Sequence, residues 1–219
     1  MQTNRGVWSG VLAIMLASWV LVLYIQKGIG IVRHLQATNK SRTRMGEDWG
    51  TLVRNRAPLL GSANAGFKIV EFSDYQCPYC RIADPILVHF YSQHPNDVVV
   101  YRYDLPLQQI HPYSFLAAIA ANCAELQGVK EPYQSLLFSH QKQFATVDWV
   151  SLARQAGVSD GGKFARCMKD DVPDRHVKQD VSIAQAMQIE STPSILVNGS
   201  LIQGPITEER LEILFGTHS

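Results

Sequence analysis

Hydrophobic and polar positions along this 219-residue chain fall into segments that each point to one kind of element. From Val7 to Ile25 the run VWSGVLAIMLASWVLVLYI carries no charge. As a helix rising about 1.5 Å per residue it would span roughly 28 Å, close to the hydrocarbon thickness of a bilayer. Trp8 and Tyr24 stand near its ends, where amphipathic rings favour the interface. The run predicts a retained membrane anchor over residues 1–25. A cleaved leader has a shorter apolar stretch and a small-x-small site, whereas Gln26, Lys27 and Gly28 follow here. A buried soluble helix is the third reading. Residues 26–57 are polar and basic without an apolar period, and read as a stalk.

From residue 58 the pattern turns globular. Phe67 to Ser73 (FKIVEFS) is a short, largely apolar run of strand formers, and Val98 to Tyr103 (VVVYRY) is a second. A helical pattern lies between them, from the Cys77-Pro78-Tyr79-Cys80 tetrapeptide to His94-Pro95. Strand, helix and strand in this order predict a parallel pair joined by a right-handed crossover. Helices are expected over Tyr113–Gln127, Pro132–Phe144, Asp148–Ala156 and Gly162–Lys169, and over Pro173–Gln188 with proline in the first turn. Ser194–Val197 and Leu201–Gln203 flank Asn198-Gly199, a strong hairpin signal. Thr207 is placed to cap a last helix with Glu208 and Glu209 at its positive end. The order implies an α/β domain over 58–219, a central sheet flanked by helices, with a helical insertion over about 113–170.

Composition adds little: 46% hydrophobic and 18% charged residues are globular values, and a net charge of +1 gives no reason to expect nucleic acid. Charge around the apolar run bears on orientation. Arg5 precedes it, while Lys27, Arg33, Lys40, Arg42 and Arg44 follow. Taken alone, that excess would put the C-terminal bulk on the cytoplasmic side.

Cysteine chemistry argues for the other side. Cys77 and Cys80 are two of four cysteines, set where a strand gives way to a helix. Pro78 in the first turn leaves the free N–H groups of the helix tip aimed at the Cys77 sulfur, which favours thiolate over thiol. Such a thiolate attacks and leaves readily in disulfide exchange. Cys80, one turn on, is placed to resolve a mixed disulfide. Zinc would call for a second ligand pair, whereas Cys123 and Cys167 stand singly, 44 residues apart. A purely structural Cys77–Cys80 disulfide has no need of a helix tip.

The run FKIVEFSDYQCPYCRIADPIL resembles the active-site strand and helix of the thioredoxin superfamily, and the remainder resembles its DsbA-type branch of extracytoplasmic oxidoreductases. On that resemblance Cys77 is the nucleophile, Cys80 the resolving thiol, and Pro78-Tyr79 the intervening dipeptide. Glu71 takes the place of the buried acid that serves the resolving cysteine, a surface carboxylate being the other reading, though a charge inside an apolar strand is costly without a purpose; Pro85 takes that of the proline kinking the active-site helix. Thr192-Pro193 resembles the cis-proline loop that receives substrate backbone; an ordinary trans turn is the other reading. The 112 residues between Cys80 and Pro193 exceed what glutaredoxins and simple thioredoxins carry and accommodate the DsbA-type insertion. Cys123 and Cys167 match positions that form a second disulfide in many similar proteins, two free thiols being the alternative. That disulfide would need an oxidising compartment. His89, His111 and His140 are read as structural or surface residues.

The resemblance implies an oxidase of secreted proteins that needs no cofactor and is recycled by a membrane redox partner, in a bacterial inner membrane with its domain facing outward. A reductase or isomerase would use the same site in reverse. A non-catalytic thioredoxin-like binding module is the reading from another class; it would tolerate loss of either active-site cysteine, and both are present.

Overall fold

The strand β1 (Phe67–Ser73) is the spine of the domain, and all of it except Lys68 is buried. A strand covered on both faces reads as a continuous apolar run, which is the pattern of FKIVEFS. In this computed structural model, which describes residues 25–29, 49–202 and 204–217, β2 (Val98–Asp104) pairs with β1 in parallel and sets Glu71 opposite Arg102. Helix α1 (Pro78–Gln93) makes the crossover. On the other side of β1, β3 (Ser194–Val197) runs antiparallel and is followed by β4 (Ser200–Ile202), giving the order β2-β1-β3-β4. Asn198 and Gly199 join β3 to β4 with φ of 44° and 85°, left-handed values that a two-residue hairpin turn demands.

Between β2 and β3 the chain forms α2 (Ser114–Glu125), α3 (Lys130–Ser139), a 3₁₀ turn (Gln141–Gln143), α4 (Trp149–Gln155), α5 (Gly161–Cys167) and α6 (Asp171–Ala186); α7 (Glu208–Gly216) ends the fold. The side chains of Asp148, Asp160, Asp170 and Thr207 accept backbone N–H bonds at the starts of α4, α5, α6 and α7. The expected start of α6 at Pro173 moves back to Asp171, because Asp170 caps the helix and Pro173 becomes its third residue.

The core has three parts. Ala83, Leu87 and Phe90 of α1 pack on one sheet face with Phe67, Ile69, Val98, Val100 and Leu211. Val70, Phe72, Val99, Tyr101 and Leu196 face the opposite way, onto Ala184 and Met187. The third part belongs to the insertion and takes in Tyr75, Cys77 and Cys80. Within it, Cys123 of α2 and Cys167 of α5 are joined by a disulfide.

Two compact units divide the chain, Met1–Arg44 and Met45–Ser219. Of the first, residues 25–29 are described, as exposed helix; the apolar residues 7–24 expected to span a membrane lie outside the described residues. Among the described residues no helix is long and apolar enough to cross a membrane. The expected domain boundary at residue 58 shifts into the stalk. Leu52 is buried against the sheet and its carbonyl accepts a 2.9 Å bond from the Tyr103 hydroxyl. Arg56 forms an ion pair with buried Asp180 on α6. Polar residues whose partners lie far along the chain look like linker in a local reading.

Candidate active site

Cys77 caps α1 in an extended conformation and Pro78 takes the first helical position, where its missing N–H is no loss. Cys80 is fully buried and Cys77 is 4% exposed, while Tyr79 between them is 69% exposed. The loop before β3 closes over this tip: Thr192–Pro193 is a cis peptide, and the Thr192 carbonyl oxygen lies 3.4 Å from the Cys77 sulfur. From the other side the Asp74 backbone N–H donates to the Cys80 sulfur at 3.4 Å.

These surroundings split the two thiols. A hydrogen bond from the Cys80 thiol to the Cys77 sulfur lowers Cys77 to about 5, against a smaller opposing effect of burial; the backbone N–H groups of Cys80 and Tyr79 add to the lowering. Cys80 moves the other way. Burial raises it most, and the Cys77 sulfur and the Glu71 charge add to that. At neutral pH the reduced pair is therefore one thiolate and one thiol, with the anion at the surface end.

Glu71 is fully buried on β1 and faces Arg102 on β2, whose Nε donates to its Oε2 at 2.8 Å. Arg102 also holds Asp84 of α1 at 2.8 Å and bonds the side-chain oxygen of Gln134 on α3. Two carboxylates thus share one guanidinium, and Glu71 Oε1 has no hydrogen-bond partner. Burial raises the Glu71 pKa; Arg102 pulls it back and Asp84 pushes it further up. A buried acid that keeps its proton easily, and whose charge is felt by Cys80, can give a proton to that thiolate and take it back. Of this network Glu71 is expected from the sequence, whereas Arg102, Asp84 and Gln134 are found only in the structure. A lone arginine inside VVVYRYD was the available signal, since a charge in a buried strand calls for a partner.

Asp74 is buried in the turn before Cys77 and accepts from the backbone N–H of Gln76 (2.7 Å) and Leu107 (2.8 Å). His111 Nδ1 meets the same carboxylate at 2.8 Å, so this histidine braces the active-site turn. His89 and His94 pair with Glu208 and Glu212 at the surface. Pro85 lies inside α1 as expected. Among the described residues no cluster of three or more His, Cys, Asp or Glu is placed to hold a metal ion.

Comparison with known proteins agrees with this architecture. The Thioredoxin family matches residues 54–215. A thioredoxin-like oxidoreductase from Silicibacter pomeroyi is 27% identical and superposes with a TM-score of 0.63, covering 76% of this chain and 94% of that one. The thiol-disulfide exchange protein alpha-DsbA2 of Wolbachia pipientis shares the fold at 17% identity, with a TM-score of 0.73 over 83% of this chain and 97% of its own. Among curated relatives, the Na(+)/H(+) antiporter NhaA 3 of Salinispora tropica is 31% identical over 157 residues, which are 72% of this chain and 24% of that protein. The chain thus spans about a quarter of the length of that relative. The strand order, the cysteine pair at the tip of α1, the cis-proline loop and the family match agree: this chain belongs to the thioredoxin family and has the fold of DsbA-type exchange proteins.

Proposed function

We propose that this protein oxidises thiols of extracytoplasmic proteins through its Cys77–Cys80 pair. In the oxidised enzyme a substrate thiolate attacks Cys77 Sγ; the new substrate–Cys77 bond forms as the Cys77–Cys80 bond breaks. Cys80 leaves as a thiolate and takes a proton from Glu71. A second substrate thiolate then attacks the sulfur bound to Cys77, forms the substrate disulfide and expels Cys77 as the thiolate its surroundings favour. Two electrons have passed from substrate to enzyme. A membrane redox partner that accepts them restores the disulfide, and Thr192-Pro193 supports the substrate backbone during exchange.

The observation that carries this reading is the unequal pair of thiols. A stabilised Cys77 anion favours the reduced enzyme, which makes the disulfide an oxidant. The Cys123–Cys167 disulfide supports an oxidising compartment, and so the outer side, while the apolar run 7–25 supports attachment to a membrane. The test is exchange with reduced ribonuclease and with insulin. Cys77→Ser should abolish both activities, Cys80→Ser should accumulate mixed disulfides, and full activity of Cys77→Ser would sink the proposal. Faster insulin reduction than ribonuclease oxidation would make the enzyme a reductase. Labelling of intact cells with an impermeant thiol reagent reads the orientation: protection of the reduced pair would place the domain inside.

A further inference from the structure

One stripe of the helical insertion reaches the polar groups of the active site. Gln134, Phe138 and Gln141 follow one another at spacings of four and three, which align on one side of a helix and the turn that continues it. Gln134 bonds Arg102, the partner of Glu71. The Phe138 ring packs on Tyr75 with centroids 5.2 Å apart and lies 5.5 Å from the Arg102 guanidinium. Gln141 reaches furthest: its side-chain Nε2 donates to the carbonyl oxygens of both Tyr75 and Cys77, each at 2.8 Å.

We propose that Gln141 is a positioning residue for disulfide exchange, its side-chain amide pinning the carbonyls of Tyr75 and Cys77 so that the Cys77 sulfur stays at the tip of α1. The inference rests on the proposed exchange activity. Its physical content is local. The Cys77 carbonyl is the first acceptor of the helix, taking the Arg81 N–H at 3.2 Å, and it carries partial negative charge on the same residue as the sulfur. An amide hydrogen on that oxygen offsets the charge and fixes the peptide plane. The sulfur then keeps its hydrogen bonds from the N–H groups of Tyr79 and Cys80. Gln76, next to Cys77, is itself held to the start of the insertion, its Oε1 accepting from the Tyr113 N–H at 2.8 Å. The insertion therefore does more than cover the site; through one side chain it fixes the conformation of the nucleophile's own residue.

The experiment compares the wild-type full chain with Gln141→Met, which keeps length and loses both donors, and Gln141→Glu, which sets an acceptor against two carbonyls. Three quantities are read: the Cys77 titration followed by thiolate absorbance, the glutathione equilibrium, and the melting temperatures of both redox forms. Gln141→Met should raise the Cys77 pKa by about one unit and weaken the enzyme as an oxidant about tenfold, with Gln141→Glu moving further in the same direction. A purely structural role would lower both melting temperatures equally and leave the titration alone, and that result overturns the proposal. If one variant does not fold, the other decides it by the same titration. An inactive wild type with a shifted Gln141→Met titration would count against the exchange function and in favour of this positioning role.

Discussion

The lowered Cys77 pKa has a measurable consequence for how the redox equilibrium depends on pH. Between about 5, where Cys77 titrates, and the region near 8.5 of an ordinary thiol, reduction of the pair takes up two electrons and one proton. The potential should then fall by about 30 mV per pH unit, half the roughly 59 mV of a couple that takes up two protons. Glutathione takes up two over most of that range, so the constant for reducing the enzyme with glutathione should rise about tenfold per pH unit from 6 to 8. The size of the effect follows from the same shift. Two units between pH 7 and a pKa of about 5 correspond to at most about 2.7 kcal/mol in favour of the reduced form, or about 60 mV. The sign is fixed: the stabilisation is present in full above the ordinary thiol pKa and is lost as pH falls through about 5. The assay is equilibration in glutathione buffers, acid quench and separation of alkylated forms. A constant that does not change between pH 6 and 8 would show Cys77 to be an ordinary thiol and refute the reasoning.

Replacing Glu71 by Gln should slow steps that protonate or deprotonate Cys80 while leaving the Cys77 titration in place; stopped-flow rates against pH check this, and an unchanged profile removes Glu71 from proton transfer. Arg102→Leu strands Glu71 and Asp84 without their cation and should cost about 3–5 kcal/mol in urea unfolding, less in acid where they take up protons. Serine at both Cys123 and Cys167 should destabilise the domain by about 4 kcal/mol, since the bridge closes a 44-residue separation; a loss below 1 kcal/mol would place the effect elsewhere than in the unfolded chain. Burial, with Asp104 adding and Arg56 opposing, raises Asp180 to about 7. A raised carboxyl binds its proton more tightly in the folded state, so stability should fall as pH climbs from about 4 to 7. Asp180→Asn should flatten that slope in denaturation series at fixed pH.

The legible parts of this fold were those whose signals are local. β1 has the predicted bounds because a strand covered on both faces writes a continuous apolar run into the sequence. The hairpin followed from Asn198-Gly199, and the helix tip from a proline behind a cysteine. What escaped is long-range. Nothing near Arg56 announces Asp180, which lies 124 residues on, so residues 49–57 look like linker although they pack on the domain. Arg102 stands among tyrosines and valines and gains its meaning from a register that sets it opposite Glu71. Gln141 looks like any polar residue after a helix, because its partners are backbone carbonyls of another segment and leave no mark in residue type.

The ion pair that straps residues 49–57 to α6 bears on how a soluble fragment should be cut. Trimming at Pro58, where the polar stretch ends, would remove the guanidinium that faces two buried carboxylates and expose the surface that Leu52 covers. A fragment beginning at Met45 keeps both. Its shorter counterpart would carry the whole cysteine apparatus and still be the poorer reagent, prone to aggregate for reasons unrelated to its chemistry.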